Sequence, residues 1–180
     1  MSTALLAEAA AWRLLSCLLE RPRGEWRNEV ETLAGEVWDR NLAACARRAA
    51  ADASEGAYLA VLGPGGALSQ REVAYRPDRD PAAILARLAA LYEAFAYLPA
   101  SEDPPDHIAV ELGFAGYLAL KRAYAEQCDD AAAAALAADG LALFRAEHLD
   151  TFTAALAERL GATAGYLQPL AARLAARLGA

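Results

Sequence analysis

Asp106, His107 and Glu111 stand close together in the stretch EDPPDHIAVE, residues 102–111. An imidazole among carboxylates can serve three kinds of chemistry. Paired with Asp106 or Glu111, His107 could work as a general acid/base. No nucleophile is signposted beside it, since Ser69 and Ser101 stand in no recognisable elbow. A metal site would need further ligands, and the other histidine, His148, stands alone, with no His-x-x-x-His pair or cysteine cluster in the chain. The third role is structural. Pro104 and Pro105 stop a preceding helix from running through, so the segment reads as a hinge. In that reading Asp103 is an N-cap, Pro104 takes the first helical position and Asp106 favours the helix dipole from the first turn. His107 and Glu111, four residues apart, would share a helix face and pair. The hinge is the reading we favour.

The elements around this stretch are helical by pattern. Apolar residues recur at helical spacing through residues 3–20, with Ser2 or Thr3 as cap, and through Trp26 to about Trp38. A third helix is expected from about Asn41 to Leu62. Residues 63–81 show no periodicity and form the one long loop, a kind of segment that often carries function. Asp80-Pro81 opens the next helix, whose stripe runs through Ile84, Leu88, Leu91, Tyr92 and Phe95. Residues 106–124 are apolar nearly all round, which marks a central helix. An Ala-rich helix at 129–140, with Gly140 as its stop, and helices at about 141–159 and 164–178 complete the series. The expectation is all-α: a bundle of seven or eight helices in two lobes. The first lobe spans residues 1–98 with the loop 63–81, residues 99–105 form the hinge, and the second lobe spans 106–180.

Composition narrows the function. The 180 residues are 57% hydrophobic, with Ala and Leu dominant and β-branched residues scarce, as an all-helical chain requires. The net charge is −7, without the basic footprint that nucleic acid demands, so no nucleic-acid partner is expected. The Gly63–Gly66 run lacks both a following Gly-Lys-Ser/Thr and a preceding strand, so it reads as a turn rather than a phosphate loop. Cys17, Cys45 and Cys128 read as small apolar residues in a reducing compartment. Glu8, Arg13 and Glu20 interrupt the N-terminal apolar run, so neither a leader nor stable membrane insertion is expected. A cytoplasmic protein, monomer or homodimer, follows.

Three segments resemble one family. LYEAFAY followed by PPDHIAVELGFAGYL is similar to the signature of the TorD/DmsD/NarJ-type redox-enzyme maturation chaperones, matching at Pro105, Asp106, His107, Ile108, Glu111, Leu112, Phe114 and Leu118. FRAEHLDTF resembles a later family segment through His148, Leu149 and Phe152. Arg71, Glu72 and Tyr75 fit the loop element upstream. The likeness runs from about residue 55 to the end. It departs where Ala115 replaces the usual Met and Phe152 the usual Trp.

The resemblance implies a TorD-like fold and a chaperone rather than an enzyme, with no cofactor and no metal of its own. It implies a client: the precursor of a molybdopterin oxidoreductase, held by its twin-arginine leader, its body or both until cofactor is inserted before export. Client-binding residues by this reading are Glu72, Tyr75, Asp106, His107, Glu111, Phe114 and Tyr117. The acids would meet arginines and the aromatics would flank an apolar segment. A general helical adaptor and a small helical hydrolase using His107 are the alternatives.

Overall fold

The structure, a computed structural model, describes residues 3–178. Its α-helices are α1 (Thr3–Leu18), α2 (Trp26–Glu36), α3 (Arg40–Asp52), α4 (Glu55–Leu62), α5 (Pro81–Ala94), α6 (Ile108–Gln127), α7 (Ala131–Phe144), α8 (Asp150–Gly161) and α9 (Gln168–Leu178). No strand occurs among the described residues. The fold is all-α. Ser2 lies outside the described residues, and Thr3 is already helical.

Local chemistry sets most boundaries. Asp39, Ser54, Asp80 and Asp130 each turn a side-chain oxygen onto a free amide of the first helical turn. Pro81 follows Asp80 at the start of α5, where a missing N–H costs nothing.

Three boundaries differ from the sequence reading. The helix expected over 41–62 is two, because Ala53 and Ser54 are extended and Ser54 caps α4 by accepting from Ala57 N. Gly140 does not stop α7. A Cβ there would stand 2.3 Å from the Phe95 ring, so the glycine is a socket for that ring within a continuing helix. The rod then passes through a π-helical turn, Arg145–Leu149, into α8 without a break. The nine segments therefore form eight rods. Finally, α6 begins at Ile108 and not at Asp103–Asp106, and its N-cap is His107.

Helix α6 is the central element. Ile108, Leu112, Phe114, Ala115 and Leu118 along it are all fully buried. Helix α1 lies along α6 in the most extensive helix pair of the molecule, and α7 packs on another side of α6. Gly116 lets α1 and α6 approach closely, since a Cβ would meet Arg13 N at 3.2 Å and the Trp12 Cβ at 3.3 Å. Phe114 is the aromatic hub. Tyr92 and Phe144 lie 4.8 Å from it, centroid to centroid, and Tyr97 lies 5.1 Å away. One contiguous apolar core takes in residues from both sides of the 99–105 segment.

Candidate functional site

The Pro104-Pro105 break leaves Asp106 and His107 extended against the loop at 70–72. There Glu72 N donates to Asp106 O at 2.9 Å and Ile108 N donates to Gln70 O at 2.8 Å, an isolated antiparallel bridge. The side chains repeat the tie. Arg71 Nε donates to Asp106 Oδ1 at 2.8 Å and its Nη2 lies 2.7 Å from the same oxygen, while Val73 N reaches Oδ2 at 3.4 Å. Asp106 is fully buried, so its charge is held by these donors.

His107 is locked on both ring nitrogens. Nδ1 accepts from Ala109 N at 3.2 Å, capping α6, so the proton sits on Nε2, which donates to Gln70 Oε1 at 2.6 Å. Gln70 in turn donates to the Tyr58 hydroxyl, which donates to Leu19 O. Burial is the main cause that depresses the His107 pKa below the usual histidine value, outweighing nearby Asp103 and Asp106. The imidazole is a neutral strut. It does not pair with Glu111, because its extended backbone (φ −76°, ψ 132°) takes it off the helix face.

A second buried set lies beside the first. Glu72 Oε2 faces His148 Nδ1 at 2.8 Å, and its Oε1 accepts from Arg76, whose Nη1 also donates to Glu147 O at 2.9 Å. His148 is carried by the π turn, a distortion that often marks functional positions. Its ring stacks on Phe144 at 5.5 Å. Glu111 is fully buried, and neither carboxyl oxygen has a partner among the described residues; His148 Nε2 is also unpartnered. Burial, aided by the charges of Glu72 and Asp106, pushes the Glu111 carboxyl well above the usual range. Burial thus favours its protonated form.

The seven residues named from the sequence therefore divide. Glu72, Asp106, His107 and Glu111 come together in this polar core, with Phe114 packed under Tyr92. Glu72, Asp106, Glu111 and Phe114 are sealed, so a bound chain cannot touch them in this conformation. Tyr75 is half-buried elsewhere, against Phe152 and under the Arg159 guanidinium. Tyr117 is half-buried on a different surface and donates to Phe95 O at 2.9 Å. Sequence reasoning did not single out Gln70 or Arg76, whose roles depend on contacts with no local signal.

Two hollows open near this core. An apolar groove of about 750 Å³ runs between α1, α6 and the segment 97–101. Ala10, Val110 and Gly113 lie in it, with Leu6, Trp38, Leu98 and Leu120 around them. Trp38, Leu98 and Leu120 are exposed large apolar residues, and Leu98 is 89% exposed. A polar pocket of about 940 Å³ lies on the other side of Ala100 and Ser101, between the 63–66 turn, the start of α2 and His107. Glu20 borders both. No group of three or more His, Cys, Asp or Glu side chains suited to a metal ion is found among the described residues. No helix of the described residues is long and apolar enough to cross a membrane.

Residues 29–158, well over half of the chain, match the family model described as nitrate reductase delta subunit. The matched span contains the side chains of the polar core, from Tyr58 to His148, while α1 and Leu19 precede it. No curated protein and no solved structure matches the chain.

Proposed function

We infer function from one premise: this chain belongs to the nitrate reductase delta subunit family, within the TorD/NarJ type of maturation chaperone. On that premise it is a cytoplasmic assembly chaperone. It binds the precursor of a molybdopterin oxidoreductase, through its twin-arginine leader, its body or both, and holds it until cofactor insertion precedes export. The observation that carries this reading is the open apolar groove between α1 and α6, edged by exposed Trp38, Leu98 and Leu120 in a chain whose other large apolar side chains mostly sit in one core. Such a groove suits an amphipathic or apolar segment of a partner.

His107 supports the chaperone over a hydrolase. A general base needs a ring nitrogen free to reach a substrate proton, and both nitrogens of His107 are engaged. The sealed residues Glu72, Asp106, Glu111 and Phe114 enter client binding in this proposal only if the halves 1–98 and 106–180 part about residues 99–105. Otherwise they hold the groove in shape, and Tyr117, at the groove, is the member in contact.

Affinity capture of the tagged protein from its own host under anaerobic growth, with mass spectrometry of the bound proteins, tests the proposal. Recovery of a molybdoenzyme catalytic subunit still bearing its leader is the expected result. Recovery of the mature subunit alone would assign binding to the body. Absence of any oxidoreductase under every respiratory condition would leave the general adaptor as the better account.

A further inference from the structure

Arg13 fills, from within the chain, a site shaped for a guanidinium. Its Nη1 donates to Glu20 Oε1 at 2.7 Å and to Ser16 Oγ at 3.1 Å, and its Nη2 donates to Glu29 Oε1 at 2.5 Å. Glu20 lies just past the end of α1 and Glu29 lies in α2, so the two carboxylates converge across the turn between these helices. One guanidinium thus bridges two carboxylates, Nη1 on Glu20 and Nη2 on Glu29, a span that its rigid, spread donors suit.

The place of this trio is as informative as its chemistry. Arg13, Ser16 and Glu20 border the apolar groove, and Glu20 and Glu29 border the polar pocket beyond. The guanidinium thus sits where an apolar surface meets a polar one. It is not sealed: the side chains of Arg13, Glu20 and Glu29 are 37%, 28% and 41% exposed. One side of the trio is open to solvent, so another cation can reach the two carboxylates without the core opening.

We infer that Glu20 and Glu29 are the arginine subsite of the groove, and that Arg13 occupies it in cis until an arginine of the client displaces it. This rests on the reading above that the groove takes a client segment. The occupant is a peptide in which an arginine adjoins an apolar helical run. The apolar run lies along Ala10, Val110 and Leu120, and the arginine reaches the two carboxylates. Binding swaps one guanidinium for another, so most of the charge pairing cancels between free and bound states. Arg13 therefore restrains affinity and eases release.

The inference predicts that removing Arg13 strengthens the binding of a cationic peptide, and that this gain depends on Glu20 and Glu29. The probe is a synthetic peptide of one arginine followed by an apolar Leu/Ala helix, compared with a twin in which neutral citrulline replaces arginine, titrated calorimetrically into the full chain. Arg13→Gln is expected to tighten the arginine peptide on the order of tenfold, about 1.4 kcal/mol, and to leave the citrulline twin unchanged. Glu20→Gln with Glu29→Gln should abolish the preference for arginine. Unchanged or weaker binding by Arg13→Gln, or equal tightening of both peptides, would overturn the inference. Should Arg13→Gln lose helicity by circular dichroism, Arg13→Lys decides, because its single-point charge predicts intermediate tightening and no tightening refutes. If neither peptide binds any variant while the tagged chain still captures its client, the subsite is refuted and the chaperone reading stands. If the peptides behave as stated but no oxidoreductase is captured, the subsite stands and the chaperone reading fails.

Discussion

His148 Nδ1 and Glu72 Oε2 meet at 2.8 Å inside the protein, although 76 residues separate them in the chain. The contact joins the π turn between α7 and α8 to the 3-10 turn Glu72–Tyr75. Through Glu72 N on Asp106 O it continues to the start of α6. Three distant segments are thereby fixed around the buried Glu111 carboxyl, and the apolar groove is built on the outer side of the same helix.

Glu111→Gln should stabilise the protein at neutral pH. The folded-state pKa of Glu111 lies above its unfolded value, so the fold holds the extra proton. Stability is then fully present below the ordinary carboxylate value near 4.5 and is lost as pH rises toward the raised one. The amide mimics the protonated form and does not titrate. Thermal melts should show equal Tm values near pH 4 and a higher variant Tm at pH 8, by several degrees, since about 1 kcal/mol moves Tm by roughly 2–4 °C at this size. Parallel Tm curves for the two proteins would contradict this.

Arg71→Ala should destabilise more than Asp106→Ala. The first leaves a fully buried carboxylate with little beyond Val73 N, at a cost of about 3 kcal/mol. The second removes the buried charge itself and leaves Arg71, 40% exposed, to water, at about 1–2 kcal/mol. Urea unfolding of both single variants and the double variant checks the order. The double variant should fall near Asp106→Ala, well short of the sum.

His107→Asn should retain most of the stability that His107→Ala loses. Asparagine can cap α6, although it gives up the bond to Gln70. The pH dependence differs as well. Because the His107 pKa is depressed in the fold, its contribution is complete above the unfolded value near 6.5 and is lost as pH falls below it. Wild type should thus lose stability between pH 7 and pH 5 by more than His107→Asn does, as denaturant titrations at the two pH values would show.

Gly140→Ala should cost about 1–3 kcal/mol through collision with the Phe95 ring. An exposed helical glycine would instead gain up to about 1 kcal/mol from the change. The sign alone tests whether Gly140 is a socket or a stop. Phe95→Leu should reverse most of the loss when the two are combined, measured by chemical denaturation.

Much of the fold was legible because its signals are local. Asp80-Pro81 and Asp130 mark helix starts within a few residues, and the nearly all-round apolar pattern of residues 106–124 identifies the central helix. The misreadings share a cause. Gly140 looked like a stop because Phe95, its partner, lies 45 residues away in the chain, just past the end of α5. The Ser54 cap was hidden in an alanine-rich run where helix propensity favours continuation. His107 and Glu111 have helical spacing, but the cap geometry of His107 removes it from the face they would share. Of the candidate site, the residue types were readable and their burial was not. Neither the tie of Glu72 to His148 nor that of Arg13 to Glu29 leaves a local pattern.

The central claim is that the groove between α1 and α6 receives a client. Leu98 and Leu120 line it and are exposed, so Leu98→Asp with Leu120→Asp changes its surface without disturbing the core. Capture from the native host, wild type beside this variant, with equal helicity verified by circular dichroism, measures the claim directly. We predict that wild type recovers the precursor of a molybdoenzyme catalytic subunit and that the variant loses at least tenfold of it, a loss of about 1.4 kcal/mol or more. Undiminished capture by the folded variant would contradict the account.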